Sequence, residues 1–198
     1  MSNYVTLERF RASAVLGDQP LDLDAQLAID AAEESIEDYC NRRFYQSGTA
    51  VARYYTAESD QFVVIDDLTT LSSLKTDEDG DGTYEIAWTS GEYVLVPFNA
   101  EEDGEPYTRI FNDDEQSETF PATRKGVEVT GTWGWPAVPD RVIQATILQA
   151  ARFLKRREAP FGVAGFTAEG GAIRLRDRLD PDVEMMLERL RRQRYMVA

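Results

Sequence analysis

There is no histidine among the 198 residues, and cysteine occurs once, as Cys40. Without imidazole there is no Ser-His or Cys-His nucleophile pair and no histidine general base. A histidine-ligated zinc site is excluded as well, and one thiol makes neither a thiolate metal site nor an intramolecular disulfide. Cys40 falls in an apolar helical pattern and reads as a small core residue. No apolar run approaches the roughly 20 residues a membrane span needs. Met1-Ser2-Asn3-Tyr4 lacks the charged start and apolar block of a secretion signal, so synthesis and folding in a cytoplasm are expected. Any catalysis would fall to carboxylates, Lys, Tyr, Ser or a hard metal ion.

What is present is acid. The net charge is −15, with 42% apolar residues, enough to build a core. Residues 58–118 hold 18 Asp/Glu against 2 Lys/Arg, a net of −16, whereas residues 152–198 hold 11 Lys/Arg against 7 Asp/Glu, a net of +4. The acidic middle should repel a nucleic-acid backbone, and the basic end is able to meet an acidic surface. Solubility and a salt-bridged helix are the plainer explanations.

Hydrophobic periodicity divides the chain. Thr6 is a candidate N-cap for a short helix over Leu7–Val15, and Asp22 or Asp24 for a longer one running to about Arg42. Ala25, Ile29, Ala32, Ile36 and Tyr39 form its apolar face; Asp30, Glu33, Glu34 and Glu37 form the polar side. From Ala50 the pattern becomes strand-like: Val51–Thr56, Gln61–Ile65, Tyr84–Thr89, Tyr93–Val96, Tyr107–Phe111 and Val127–Trp133, separated by Asp/Gly/Asn turns. After Gly134-Trp135-Pro136 a helix of about 18 residues opens at Pro139 or Asp140, with Ile143, Ile147, Ala150 and Leu154 in one stripe. A last helix starts at Asp180-Pro181. The expected fold class is α+β: an antiparallel helical bundle formed by the N- and C-terminal helices (residues 1–48 and 137–198) with an inserted antiparallel β-rich segment (residues 49–136).

Asp77-Glu78-Asp79-Gly80-Asp81-Gly82-Thr83-Tyr84-Glu85 is the clearest local motif. Carboxylates at alternate positions before a glycine are how calcium loops wrap a hard cation. Asp77, Asp79 and Asp81 match the first ligand positions, Thr83 would offer its carbonyl, and Glu85 would act directly or through water. Trp88 stands where a bidentate Glu belongs, and the flanks are strand-like, so an Asp-Gly hairpin with solvated acids is the alternative. A calcium-dependent binding module is the function that a real ion site would imply. Paired-carboxylate hydrolysis is disfavoured because most of these acids lie in turns, where a raised-pKa general acid is not built. Gly162-Val163-Ala164-Gly165 lacks the Lys-Ser/Thr of a phosphate loop. Trp133 and Trp135 read as core anchors or, alternatively, as a ligand platform.

Several segments together resemble head–tail connector (head-to-tail adaptor) proteins of long-tailed, siphovirus-type bacteriophages. They are Tyr4-Val5-Thr6-Leu7-Glu8, Ser35-Ile36-Glu37-Asp38-Tyr39-Cys40-Asn41-Arg42-Arg43-Phe44-Tyr45, Gly131-Thr132-Trp133-Gly134-Trp135-Pro136-Ala137-Val138-Pro139, and Gln149 to Arg157 with Ala159-Pro160-Phe161-Gly162. The resemblance implies a non-enzymatic virion protein without catalytic residues. It implies a homo-oligomeric ring, usually a dodecamer, in the viral neck beneath the portal. A stopper or tail-connector protein would lie below, and double-stranded DNA would pass through the channel. It makes Phe161, Phe166, Arg174, Arg176, Arg178, Arg189, Arg191, Arg192, Arg194 and Tyr195 candidates for a portal-facing surface. A stopper-like or tail-completion protein is the alternative within the same particle. An acid-lined channel would spare DNA the phosphate contacts that hold it.

Overall fold

The computed structural model describes residues 4–13, 21–113, 118–158, 163–166, 172–174 and 179–192. The chain divides into two compact units, residues 45–137 and residues 1–44 with 138–198.

The first unit is a sheet. Its strands are β1 (Val51–Tyr55), β2 (Phe62–Thr76), β3 (Ile86–Trp88), β4 (Tyr93–Val96), β5 (Tyr107–Asn112) and β6 (Val127–Trp133). They pair antiparallel in the order β1-β6-β2-β5-β4, with β3 also on β2. A four-residue helix, α3 (Ala100–Asp103), joins β4 to β5 and ends on Gly104 in the left-handed conformation. β6 alternates strictly between buried and half-buried positions, as a strand with one face on a core must. Val63, Ile65, Leu68, Leu74, Trp88, Ile110, Phe120, Val127, Val129 and Trp133 form that core.

β2 is the spine, 15 residues long and paired with β3, β5 and β6. Its pairing shifts register between Val64 and Leu68, Leu68 and Thr70, and Leu71 and Ser73. Each irregularity turns the side-chain alternation over, so Asp67 and Leu68 are both buried although adjacent. That is why a period-two reading stops at Ile65.

The second unit carries α1 (Leu7–Ser13), α2 (Asp22–Cys40), α4 (Asp140–Glu158) and α5 (Pro181–Leu187), the last followed by a 3₁₀ turn at Glu188–Leu190. A two-stranded ribbon, β7 (Val163–Phe166) with β8 (Ala172–Arg174), lies between α4 and α5 in the chain. Thr6 caps α1, its Oγ1 accepting from the Arg9 N–H at 3.2 Å. Leu21, not an aspartate, occupies the N-cap of α2, and Asp22 and Asp24 lie in the first turn. Asp24 instead pairs with Arg157 at 2.6 Å, which sets the end of α4 against the start of α2. Asp180 caps α5 with Pro181 behind it, accepting from the Asp182 N–H at 3.0 Å.

The expected helical bundle with an inserted β segment is corrected by this architecture. Among the described residues the protein is a mostly antiparallel six-stranded sheet with a few helices. Only α2 and α4 are long, at 19 residues each; α1 and α5 have seven, two turns apiece. Helices that short draw their stability from whatever they pack on and do not constitute bundle layers. The helical faces also differ in detail. Glu33, placed on the polar side by periodicity, is buried, and so are Thr146 and Gln149, while Ile147 is only half-buried. Thr146 returns its hydroxyl to the Val142 carbonyl at 2.8 Å, and Gln149 Oε1 accepts from the Asp180 N–H at 3.3 Å, so each buried polar group has a partner.

Candidate functional site

The β2–β3 turn brings Asp77, Asp79 and Asp81 together, with one carboxylate oxygen of each within 4.8 Å of the others. Asp77 is buried and organises the loop: its Oδ1 accepts from the Gly80 N–H at 2.7 Å and its Oδ2 from the Gly82 N–H at 2.9 Å. Gly80 and Gly82 have φ of 78° and 90°, a conformation that side chains disfavour and that turns both N–H groups inward. Asp79 accepts from the Asp81 N–H at 3.1 Å, and Asp81 from the Thr83 N–H at 2.7 Å. Hydrogen bonds from the Thr83 side chain and then its backbone hold the Asp81 carboxyl below its ordinary value. The loop is tied back to the sheet by the Asp77 N–H on the Gly126 carbonyl at 2.9 Å and by Thr123 Oγ1 on the Asp77 carbonyl at 3.0 Å.

Of the other two residues read as ligands, Thr83 bonds to Asp81 and Glu85 is not in the cluster. Both are exposed. Trp88, at the position where a calcium loop closes, is a core residue; its Nε1–H donates to Thr76 Oγ1 at 3.1 Å and its ring stacks on Phe120 at 4.6 Å. The turn thus offers three carboxylates to a hard cation such as calcium, each already accepting a backbone N–H of the same loop.

The tryptophan junction is structural. Trp133 is buried; its Nε1–H donates to the Val51 carbonyl at 2.7 Å and the Arg53 guanidinium lies 4.4 Å from the ring centre. Trp135 is buried too, its Nε1–H donating to Asp67 Oδ2 at 3.2 Å. Gly134 between them has φ of 106°, and a Cβ there would sit 1.9 Å from the Tyr45 carbonyl oxygen. Glycine is what allows that crossing.

Of the basic residues read as portal-facing, Arg189 and Arg191 are exposed and Arg192 is half-buried. This end is fastened to the end of α2. The Arg192 N–H donates to the Cys40 carbonyl at 2.8 Å, Arg191 lies 5.3 Å from the Tyr39 ring centre, and Tyr39 donates its hydroxyl to Glu188 Oε2 at 2.8 Å. That hydrogen bond is the main reason the Tyr39 hydroxyl is pushed up to about 12. Phe166 and Arg174 belong to β7 and β8, whose backbone alone is described. Phe161, Arg176, Arg178, Arg194 and Tyr195 lie outside the described residues.

Sequence reasoning missed one polar cluster. The Glu33 carboxylate receives the Tyr4 N–H at 2.5 Å and the Val5 N–H at 3.4 Å, while Tyr4 donates its hydroxyl to Glu37 Oε1 at 2.6 Å and accepts from the Phe44 N–H at 3.0 Å. Burial raises the Glu33 carboxyl to about 7 against these two donated bonds. No spacing rule marks Glu33; only the N–H groups ahead of α1 that it accepts do, and they are invisible without coordinates.

This arrangement contains ring-stacked anchors, a self-closed acidic turn and a basic helix end. No protein-family model matches the chain, and no curated protein does. Solved structures do. The chain has the fold of gene transfer agent (GTA) neck chains. A chain in the neck of an empty GTA particle computed with C6 symmetry aligns at a TM-score of 0.56 and 20% identity, covering 98% of this chain and 93% of that one. A chain in the neck of a native GTA particle computed with C12 symmetry aligns at 0.55 and 21%, over 97% and 91%. A chain of the virion of the native GTA particle aligns at 0.55 and 21%, over 98% and 93%. The likeness to the GTA chains is therefore one of whole-chain fold, extending through both compact units.

Proposed function

We propose that the protein is a non-enzymatic structural subunit of the neck of a phage-like particle, a head-to-tail adaptor that forms a ring beneath the portal. The observation that carries this reading is the whole-chain fold likeness to neck chains from particles computed with C6 and C12 symmetry. The likeness covers 98% of this chain and 93% of the neck chain, so it takes in both compact units rather than one module. Twelve copies in a ring agree with both symmetries. The portal protein would lie above and a stopper or tail-connector protein below, with double-stranded DNA passing through.

Charge supports the same reading. The acidic residues 58–118 form most of the sheet unit, and Glu101, Glu102, Asp103 and Glu105 around α3 are all exposed. Acids facing a DNA path would let it slide without phosphate contacts. The exposed Arg189 and Arg191 offer cations to an acidic portal surface.

Two measurements test the proposal. Averaged electron cryomicroscopy of purified particles should place the chain in the neck, as a closed ring below the portal. Density for it elsewhere, or its absence from particles, refutes the reading; a position one layer lower would make it the stopper-like protein instead. Removing residues 189–198 should weaken capture by isolated portal while the helical circular-dichroism signal persists. Undiminished capture removes that segment from the portal contact.

A further inference from the structure

α2 and α4 each carry one outward stripe that no other described residue covers. On α2 the exposed positions along one face are Leu23, Leu27, Ala31, Glu34 and Asp38, spaced by 4, 4, 3 and 4 residues. Leu23 is 69% exposed and Leu27 54%. The opposite face, Ala25, Ile29, Ala32 and Ile36, is fully buried. On α4 the exposed positions along one face are Asp140, Arg141, Gln144, Leu148 and Lys155, with Leu148 46% exposed and Val142, Ala145, Gln149 and Ala150 buried behind them.

The two stripes carry net charge of opposite sign. The α2 stripe is apolar and acidic, without a basic residue; the α4 stripe is apolar with a net positive charge, Arg141 and Lys155 outweighing Asp140. The Asp24–Arg157 ion pair shows that the helices run antiparallel against each other. Each stripe points away from its helix's buried face, so the stripes lie on opposite sides of the pair.

We propose that these two stripes are the copy-to-copy contact of the ring, the α2 face of one subunit seating on the α4 face of the next. The proposal rests on the neck-ring reading and adds the surface that builds it. A contact between different faces is what repeats around an axis and closes. Because the pair is antiparallel, Asp38 and Arg141 lie at the same end of it. A neighbour rotated about an axis along the helices brings Glu34 and Asp38 opposite Arg141, and the aliphatic stem of Lys155 over Leu27. Two α2 faces brought together side by side would crowd acid on acid, and end for end would set acid on leucine, so the self-pairing alternative is disfavoured.

The test uses the full chain with one face blocked at a time. Leu27→Asp and Leu148→Asp change exposed positions, so both variants should fold, as circular dichroism will verify. Native mass spectrometry at rising concentration should show multimers for the unmodified chain. Each variant alone should lose them, its association weakened on the order of tenfold or more by an unpaired carboxylate in the contact. An equimolar mixture should form a 1:1 dimer and stop there, since it retains one intact α2 face and one intact α4 face. Multimers unaffected by either change, a mixture with no dimer, or an unmodified chain that stays monomeric at about millimolar concentration overturns the contact. A chain found in the neck yet indifferent to both substitutions sinks this contact and leaves the neck reading. Rings built through these faces by a chain absent from particles do the reverse.

Discussion

Replacing Glu33 with Gln should make the protein more stable at pH 8 and leave it unchanged near pH 4. The carboxyl is buried beneath the N-terminal segment, accepts the Tyr4 and Val5 N–H groups, and is raised from 4.5 to about 7, chiefly by burial and then by the charges of Asp30 and Glu37. Between those two values the native state holds a proton that the unfolded chain has released. Stability therefore falls as pH rises through this window: the contribution is intact below about 4.5 and gone above about 7. A carboxyl moved that far corresponds to roughly 3 kcal/mol of lost stability at pH 8. Gln keeps a carbonyl oxygen for Tyr4 but carries no charge, so Glu33→Gln should recover about 1–3 kcal/mol at pH 8, allowing for weaker hydrogen bonds to a neutral acceptor. The other acids of this −15 chain also titrate, but they do so in both proteins and cancel in the difference. Urea unfolding of the pair at pH 4, 5, 6, 7 and 8 reads that difference directly. A constant difference across the series, or a Gln variant less stable at pH 8, would refute the assignment of Glu33 as a buried, protonatable fastener.

Gly134→Ala should cost more than about 3 kcal/mol, because the new Cβ meets the Tyr45 carbonyl oxygen and φ is 106°; a melting temperature within a degree or two of the parent would contradict the crossing. Asp77→Ala should cost about 2 kcal/mol, since two loop N–H groups lose their acceptor. The intact loop, closed by its own backbone, should hold its shape in chelator, and a melting temperature that climbs several degrees with millimolar calcium would instead assign an ion to Asp77, Asp79 and Asp81. Trp135→Phe keeps most of the apolar burial but removes one donor from buried Asp67, and should cost about 1–2 kcal/mol by denaturant unfolding.

What the sequence makes legible is local. All six strand-like runs overlap β1 to β6, because each is a short apolar alternation closed by Asp, Gly or Asn, though the run ending at Ile65 reaches only the start of β2. α4 and α5 begin at Asp140 and Pro181, where a proline and an aspartate fix the first turn. What escaped depends on partners distant in the chain. The second half of β2, Asp66–Thr76, has too few apolar residues to announce a strand and is held by β6, β5 and β3 through pairings that change register. Missing it made the β segment look like an accessory to helices rather than the principal layer. Asp77, Asp79 and Asp81 were readable as a group because their spacing is the whole signal; Glu85, the residue before β3, is not in that cluster. Glu33 was misplaced because a helical wheel registers side-chain type and not the N–H groups awaiting an acceptor.

The sheet unit starts and finishes at one place. The Ser47 N–H donates to the Trp133 carbonyl at 2.7 Å, the Trp133 N–H returns to Ser47 Oγ at 2.9 Å, and β1 runs antiparallel alongside β6 from Val51↔Gly131 onward. Tension that separates those two strand ends would load the rungs of the ladder in succession, as a zipper is loaded, never all at once as in shear. Ser47 and Trp133 stand at the zipper's mouth, so the tearing strength of this unit under axial strain is set by that short bracket and not by the depth of its core.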